Sequence, residues 1–142
     1  MGAIYLAMLL VFFLLGLQAY TVDVAFINGE MVNVAQWLND NTAQDAVIAS
    51  HDIGAIGYFT EREIVDMAGL ITPKLVPFLL DEMAMLGYLQ AVEADYLVTA
   101  PGWAYQQIVQ TAGAQVNYRT NYPWTLEQGL NNVTVYSLPQ EP

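Results

Sequence analysis

Residues 34–73, VAQWLNDNTAQDAVIASHDIGAIGYFTEREIVDMAGLITP, alternate helix, strand, turn and strand signals in the rhythm of an α/β domain. Just ahead of and within this stretch, Met31, Val34, Ala35 and Leu38 recur at i, i+3, i+4 and i+7. That spacing predicts an amphipathic helix, with Trp37 beside the stripe and the polar run 39–45 ending it. Residues 46–50 (AVIAS) read as a short buried strand. Asp52 is placed to cap a short helix through Ile53, Ala55, Ile56 and Phe59, with Gly54 and Gly57 on its small face for close packing. Residues 63–67 form the second strand.

Downstream, Thr72-Pro73 predicts the start of a longer helix, with Thr as N-cap and Pro at the first helical position. It runs through LVPFLLDEMAMLGYLQAVE, with Pro77 in its first turn or at a kink. Residues 96–99 give a third strand, and Pro101-Gly102 opens a helix over 103–111. Residues 115–119 and 133–138 complete five candidate strands around an irregular stretch, 121–132. The first four strands alternate with helical segments, which implies βαβ units and a mostly parallel sheet. The direction of the fifth is left open.

Upstream, residues 2–17 read GAIYLAMLLVFFLLGL, with Asp23 as the first charge. A helix through residue 20 is about 30 Å long, the hydrocarbon thickness of a bilayer. The run is apolar all round, so a membrane-spanning helix fits better than a surface helix. A signal peptide would need a basic start and an A-x-A-like cleavage site, and no Lys or Arg precedes Arg62. A soluble core helix is the third reading. The expected division is a transmembrane helix over 1–22 and an α/β domain over 23–142, with Asn28-Gly29 as a break or cap between the apolar run and the amphipathic helix.

The formal net charge of −11 repels nucleic-acid phosphates and anionic headgroups, which excludes a nucleic-acid partner. It leaves insertion of an uncharged helix unaffected, so the lipid bilayer is the partner expected of the N-terminus. Cysteine is absent, so there are no disulfides or thiolate metal sites.

The segment 51–57, HDIGAIG, follows a strand and opens a helix, where open α/β sheets bind ligands. Its glycines supply only a fragment of G-x-G-x-x-G, and an acidic side chain stands where a pyrophosphate needs bare amides. His51, the only histidine, could act as acid/base or ligand with Asp52 and Asp66, yet no zinc spacing accompanies it. No metal site is expected. Glu61-Arg62-Glu63 reads as a solvated charged turn. Trp103, Tyr105, Tyr118, Tyr122 and Trp124 gather late in the chain. Most are expected in the core, while Trp103 and Tyr105 are candidates for stacking on a sugar or headgroup. Asn132-Val133-Thr134 forms a glycosylation sequon, and nucleophile-elbow, Walker A and H-E-x-x-H motifs are absent.

The pieces VAQWLNDNTAQDAVIA, HDIGAIGYF, EIVDMAGLITP and DYLVTAPGW, within residues 31–103, resemble the extracytoplasmic domain that follows the last transmembrane helices of bacterial polytopic membrane glycosyltransferases, relatives of protein mannosyltransferases. The resemblance implies a Rossmann-like α/β domain on the extracytoplasmic side of the cell membrane, the tail of a larger enzyme. It also implies a polyprenyl-phosphate sugar donor handled by a multi-helix membrane domain, in cis or in trans. The family's catalytic carboxylate lies in an early loop that no position here matches, so no catalytic residue carries over. The expected role is accessory and non-catalytic. The alternatives are a single-span module that binds a glycan or a protein, and a small enzyme built on His51, Asp52 and Asp66.

Overall fold

A computed structural model of the protein describes residues 2–139. Helix α1 (Gly2–Phe26) passes through a π-helical turn, Ile27–Val32, into α2 (Asn33–Asn41), one continuous helix of 40 residues. No residue of α1 is buried, and the helix is long and apolar enough to cross a membrane. The expected break at Asn28-Gly29 does not occur, and the expected boundary after residue 22 falls inside the helix. A mid-helix glycine costs only about 1 kcal/mol against alanine, and Gly29 returns a packing contact. A Cβ there would stand 2.5 Å from Cγ of Tyr122, so only glycine admits the ring.

Five strands follow: β1 (Val47–Ser50), β2 (Glu63–Asp66), β3 (Tyr96–Thr99), β4 (Gln115–Arg119) and β5 (Thr134–Ser137). All five fall where the sequence pattern put them. Their order is β2-β1-β3-β5-β4. β1 is parallel to β2 and β3, whereas β5 is antiparallel to both β3 and β4, with an irregularity between Val116 and Tyr118. β4 therefore points the same way as the first three strands, and the sheet is mostly but not wholly parallel.

Period-two alternation divides the core between two faces. Ile48, Val98 and Val135 pack with Val34, Ala35 and Leu38 of α2 and with Ile56 of α3 (Gly54–Thr60). Ala49, Leu97 and Tyr136 pack with Met85 and Leu89 of α4 (Glu82–Ala91) and with Ile108 of α5 (Gln106–Thr111).

Several local expectations are corrected. Asp52 does not cap α3: the N-cap position is Ile53, with no side-chain bond. Nor do its glycines serve close packing, since a Cβ at Gly57 would meet nothing and one at Gly54 only the Asp52 carboxylate, at 3.9 Å. The long helix expected from residue 73 is two pieces, a 3-10 helix (Pro73–Phe78) and then α4. Pro77 lies inside the first piece and lacks an N–H to donate. Asp81 restarts the helix by accepting from Met83 N and Ala84 N at 3.1 and 2.9 Å. Thr72 is no cap either, because its hydroxyl accepts from Asp66 N. α5 begins later than expected because Tyr105 is left-handed (φ 71°). The irregular stretch contains α6 (Pro123–Glu127).

The charged turn at 61–63 is not simply solvated. The Arg62 guanidinium donates to the carbonyls of Asn39, Thr42 and Thr60 and to Gln44 Oε1. It thereby satisfies backbone acceptors left open at the end of α2.

The orientation of the sheet relative to α1 follows from a ladder of contacts. Trp37 stacks on Tyr118 at 5.0 Å, Glu30 meets Thr120, Gly29 meets Tyr122, and Phe26 meets Trp124 edge-on at 5.9 Å. Descending the helix is thus ascending the sequence past β4. The carboxyl ends of the four co-directional strands lie at the end of the domain where α1 enters.

Candidate functional site

The chain leaves β1 for β2 on one side, while β3 lies on the other. Open α/β sheets leave a crevice at such a switch point, beyond the carboxyl ends of the strands. Here it holds a cavity of about 270 Å³. Ser50, His51 and Asp52 line it from the end of β1, and Thr99, Trp103 and Tyr105 from the end of β3. Met31 and Val133 close the side toward the entering helix.

Tyr105 is buried and held at φ 71°, ψ 20°, a backbone region that tyrosine seldom occupies. The carboxylate of Glu82 on α4 fixes it there. One oxygen accepts from Tyr105 N at 2.8 Å, and the other from Gln107 N at 2.8 Å and Ile108 N at 3.4 Å. Glu82 thus caps α5 from a neighbouring helix and favours the positive end of its dipole. The phenol then lies 2.8 Å from His51 Nδ1, with the rings tilted at 42°. Burial, followed by the negative charges of Glu82 and Asp66, pushes the Tyr105 phenol above its ordinary pKa. The phenol is therefore a protonated group at neutral pH, able to donate to the imidazole or to a ligand oxygen. His51 itself is exposed.

Four of the five candidates from sequence, His51, Asp52, Trp103 and Tyr105, line this one cavity. Trp103 is half exposed at its edge. Asp66 does not line it. It is wholly buried, with Oδ1 accepting from Ala68 N at 2.9 Å and Oδ2 from Ile71 N at 2.8 Å. Its work is to shape the loop after β2, and it reaches the cavity only through its charge on Tyr105. Tyr118, Tyr122 and Trp124 pack along the entering helix. Among the described residues, no three His, Asp or Glu side chains converge as a metal site.

One carboxylate with four donors is a residue that the sequence reading passed over. Glu30, in the π turn, is fully buried. It accepts from the hydroxyls of Thr120 and Thr125, from Asn132 Nδ2 at 2.7 Å and from Val133 N at 3.0 Å. Its signal was present: Glu30 precedes Val34 and Leu38 by four and eight positions, so a carboxylate sits on the apolar stripe. A charge on a buried stripe needs several donors, and these come from beyond residue 119.

No curated protein and no solved structure matches the chain. One family model does, over residues 18–136, from the last turns of α1 through β5. By that match, the chain belongs to the family described as Domain of unknown function (DUF8728).

Proposed function

We propose that this chain is a membrane-anchored accessory domain of a glycosyltransferase that uses polyprenyl-phosphate sugars. It lies on the extracytoplasmic side and holds a sugar headgroup beside the membrane without transferring it. The observation that carries this reading is the placement of the switch-point cavity at the end of the domain where α1 enters. With α1 in a bilayer, the cavity faces the headgroup layer. At about 270 Å³ it lies just under the usual 300–1,000 Å³ of small-molecule sites. That suits a single ring and leaves no room for a polyprenyl tail. Trp103 offers an aromatic face for the ring, and His51 with Tyr105 offers polar contacts to its hydroxyls. The resemblance of residues 31–103 to glycosyltransferase tail domains supplies the substrate class.

The test is a titration of the full chain in phosphatidylcholine nanodiscs with a short-chain polyprenyl-phosphate mannose, read by tryptophan fluorescence. Saturable quenching, weakened at least tenfold by His51→Ala and abolished by Trp103→Ala, is the expected result. A signal that does not saturate, or variants that behave as wild type, would refute the site. Release or transfer of mannose by the chain alone would overturn the accessory role. The half-exposed Trp103 also suits a single-span module for free glycans. Binding of mannose oligosaccharides equal to that of the lipid-linked sugar would decide for that reading.

A further inference from the structure

Exposed large apolar side chains are dense in one short segment of the domain, residues 70–80, although others, such as Tyr58 and Val116, lie elsewhere. Leu70, Ile71, Phe78, Leu79 and Leu80 lie on the connection that leaves the carboxyl end of β2, and Trp103 on the one that leaves β3. Leu80 is fully exposed, and Leu70 and Ile71 are mostly so. Residues 67–80, MAGLITPKLVPFLL, contain Lys74 as their only charge, in a chain that carries fourteen acids against three bases. An acid-free, apolar, outward-facing loop is costly on a water-facing surface of so acidic a domain.

Its position explains it. The carboxyl ends of the strands lie level with Glu30, as the Thr120 and Val133 bonds show. Asp23 marks the end of the uncharged part of α1. The seven-position step from Asp23 to Glu30 spans about 10 Å of helix, which is close to the depth of a headgroup layer. The 67–80 loop leaves the carboxyl end of β2, on the side of the domain where α1 enters and where that gap lies.

We infer that the 67–80 loop is a second membrane contact: its apolar tip enters the headgroup–acyl boundary beside α1, with Lys74 at the level of the lipid phosphates. Two rigid features hold it in shape. Asp66 fixes its start through Ala68 N and Ile71 N, and Gly69 lies at φ +81° with room for no side chain, since a Cβ there would stand 2.7 Å from Val76 Cγ2. With two contacts on one edge, the cavity between them is held at a fixed height and tilt over the bilayer. This inference rests on α1 spanning the membrane.

The absence of cysteine allows a clean test. Single variants Leu80→Cys, Ile71→Cys, Gln90→Cys and Leu10→Cys of the full chain are labelled with an environment-sensitive fluorophore. They are reconstituted in phosphatidylcholine vesicles, with and without doxyl-labelled lipid. Leu10 reports the span, and Gln90, exposed at the far end of α4, reports solvent. The expected result is blue-shifted emission and at least threefold stronger lipid quenching at 71 and 80 than at 90. Quenching at 10 but not at 71 or 80 overturns the second contact while leaving the anchor intact. No quenching at 10 removes the anchor and the inference with it. Blue-shifted emission at 71 and 80 without lipid quenching means that a second copy of the chain covers the loop, which also overturns it.

Discussion

Replacing Glu30 with alanine withdraws an acceptor from four donors at once: the hydroxyls of Thr120 and Thr125, the Asn132 amide and the Val133 N–H. The losses are unequal. The Thr120 hydroxyl has the Val133 carbonyl 3.3 Å away, and the Asn132 amide keeps the Tyr122 carbonyl at 3.0 Å. The Val133 N–H loses the acceptor that the structure gives it, and one such stranded group costs about 1–3 kcal/mol. The vacated carboxylate also leaves a void in a fully buried position. Together the stranded donor and the void cost about 3–5 kcal/mol. Against a total stability of about 5–15 kcal/mol, that lowers Tm by roughly 12–20 °C for a domain of this size. The assay is thermal unfolding of the full chain in detergent, followed by near-ultraviolet circular dichroism. Glu30→Gln keeps the shape but turns an amide NH2 toward the donors, so its Tm should lie between alanine and wild type. A fall of less than about 3 °C for Glu30→Ala would show that these bonds do not tie the helix to the domain.

Other perturbations test the remaining links. Above pH 10 the unfolded chain gives up the Tyr105 proton while the folded chain keeps it, so that tyrosine's contribution is whole below pH 10 and is lost as pH rises through the folded-state value. Tyr105→Phe should flatten this alkaline loss in denaturant titrations, and an unchanged slope would refute the buried phenol. Glu82→Gln should cost about 1 kcal/mol of cap and dipole stabilisation and make the late tyrosinate step, the one that Tyr105→Phe removes, begin at lower pH. A later onset would contradict the assigned electrostatics. Gly29→Ala should destabilise by about 1–3 kcal/mol through collision with the Tyr122 ring, and Tyr122→Ala in the same chain should relieve part of that loss. Asp66→Ala should leave the loop's N–H groups unpaired and make it the first site of proteolysis. Protection equal to wild type would count against the role given to Asp66.

What the sequence made legible follows from the range of the interactions involved. The strands at 46–50, 63–67 and 96–99 and the stripe of Met31, Val34, Ala35 and Leu38 are written in short-range periodicity, and they fold as read. The cavity could be anticipated in part, because strand ends are marked locally and His51, Asp52, Trp103 and Tyr105 all follow one. Capping was misjudged at two helix starts, at one of them because another partner competed. The Thr72 hydroxyl accepts from Asp66 N, and Asp52 leaves α3 without a side-chain cap. The left-handed Tyr105 depends on Glu82, 23 positions earlier, and the burial of Glu30 on donors 90 to 103 positions later. No window of local sequence contains either pair. The direction of β5 was likewise open until its neighbours on both sides were known.

The last strand in the sequence sits in the interior of the sheet. β5 separates β3 from β4, so until β5 arrives β4 has no partner strand and β3 has only β1. Thr120, Thr125, Asn132 and Val133 also come late, and until then the Glu30 carboxylate has none of its donors. During synthesis, α1 emerges more than a hundred residues ahead of β5. The nascent domain therefore follows its long helix as an open half-sheet, with the Glu30 carboxylate still without these donors. A ribosome stalled before residue 133 would hold a chain without its interior strand β5 and without the Val133 N–H that Glu30 accepts.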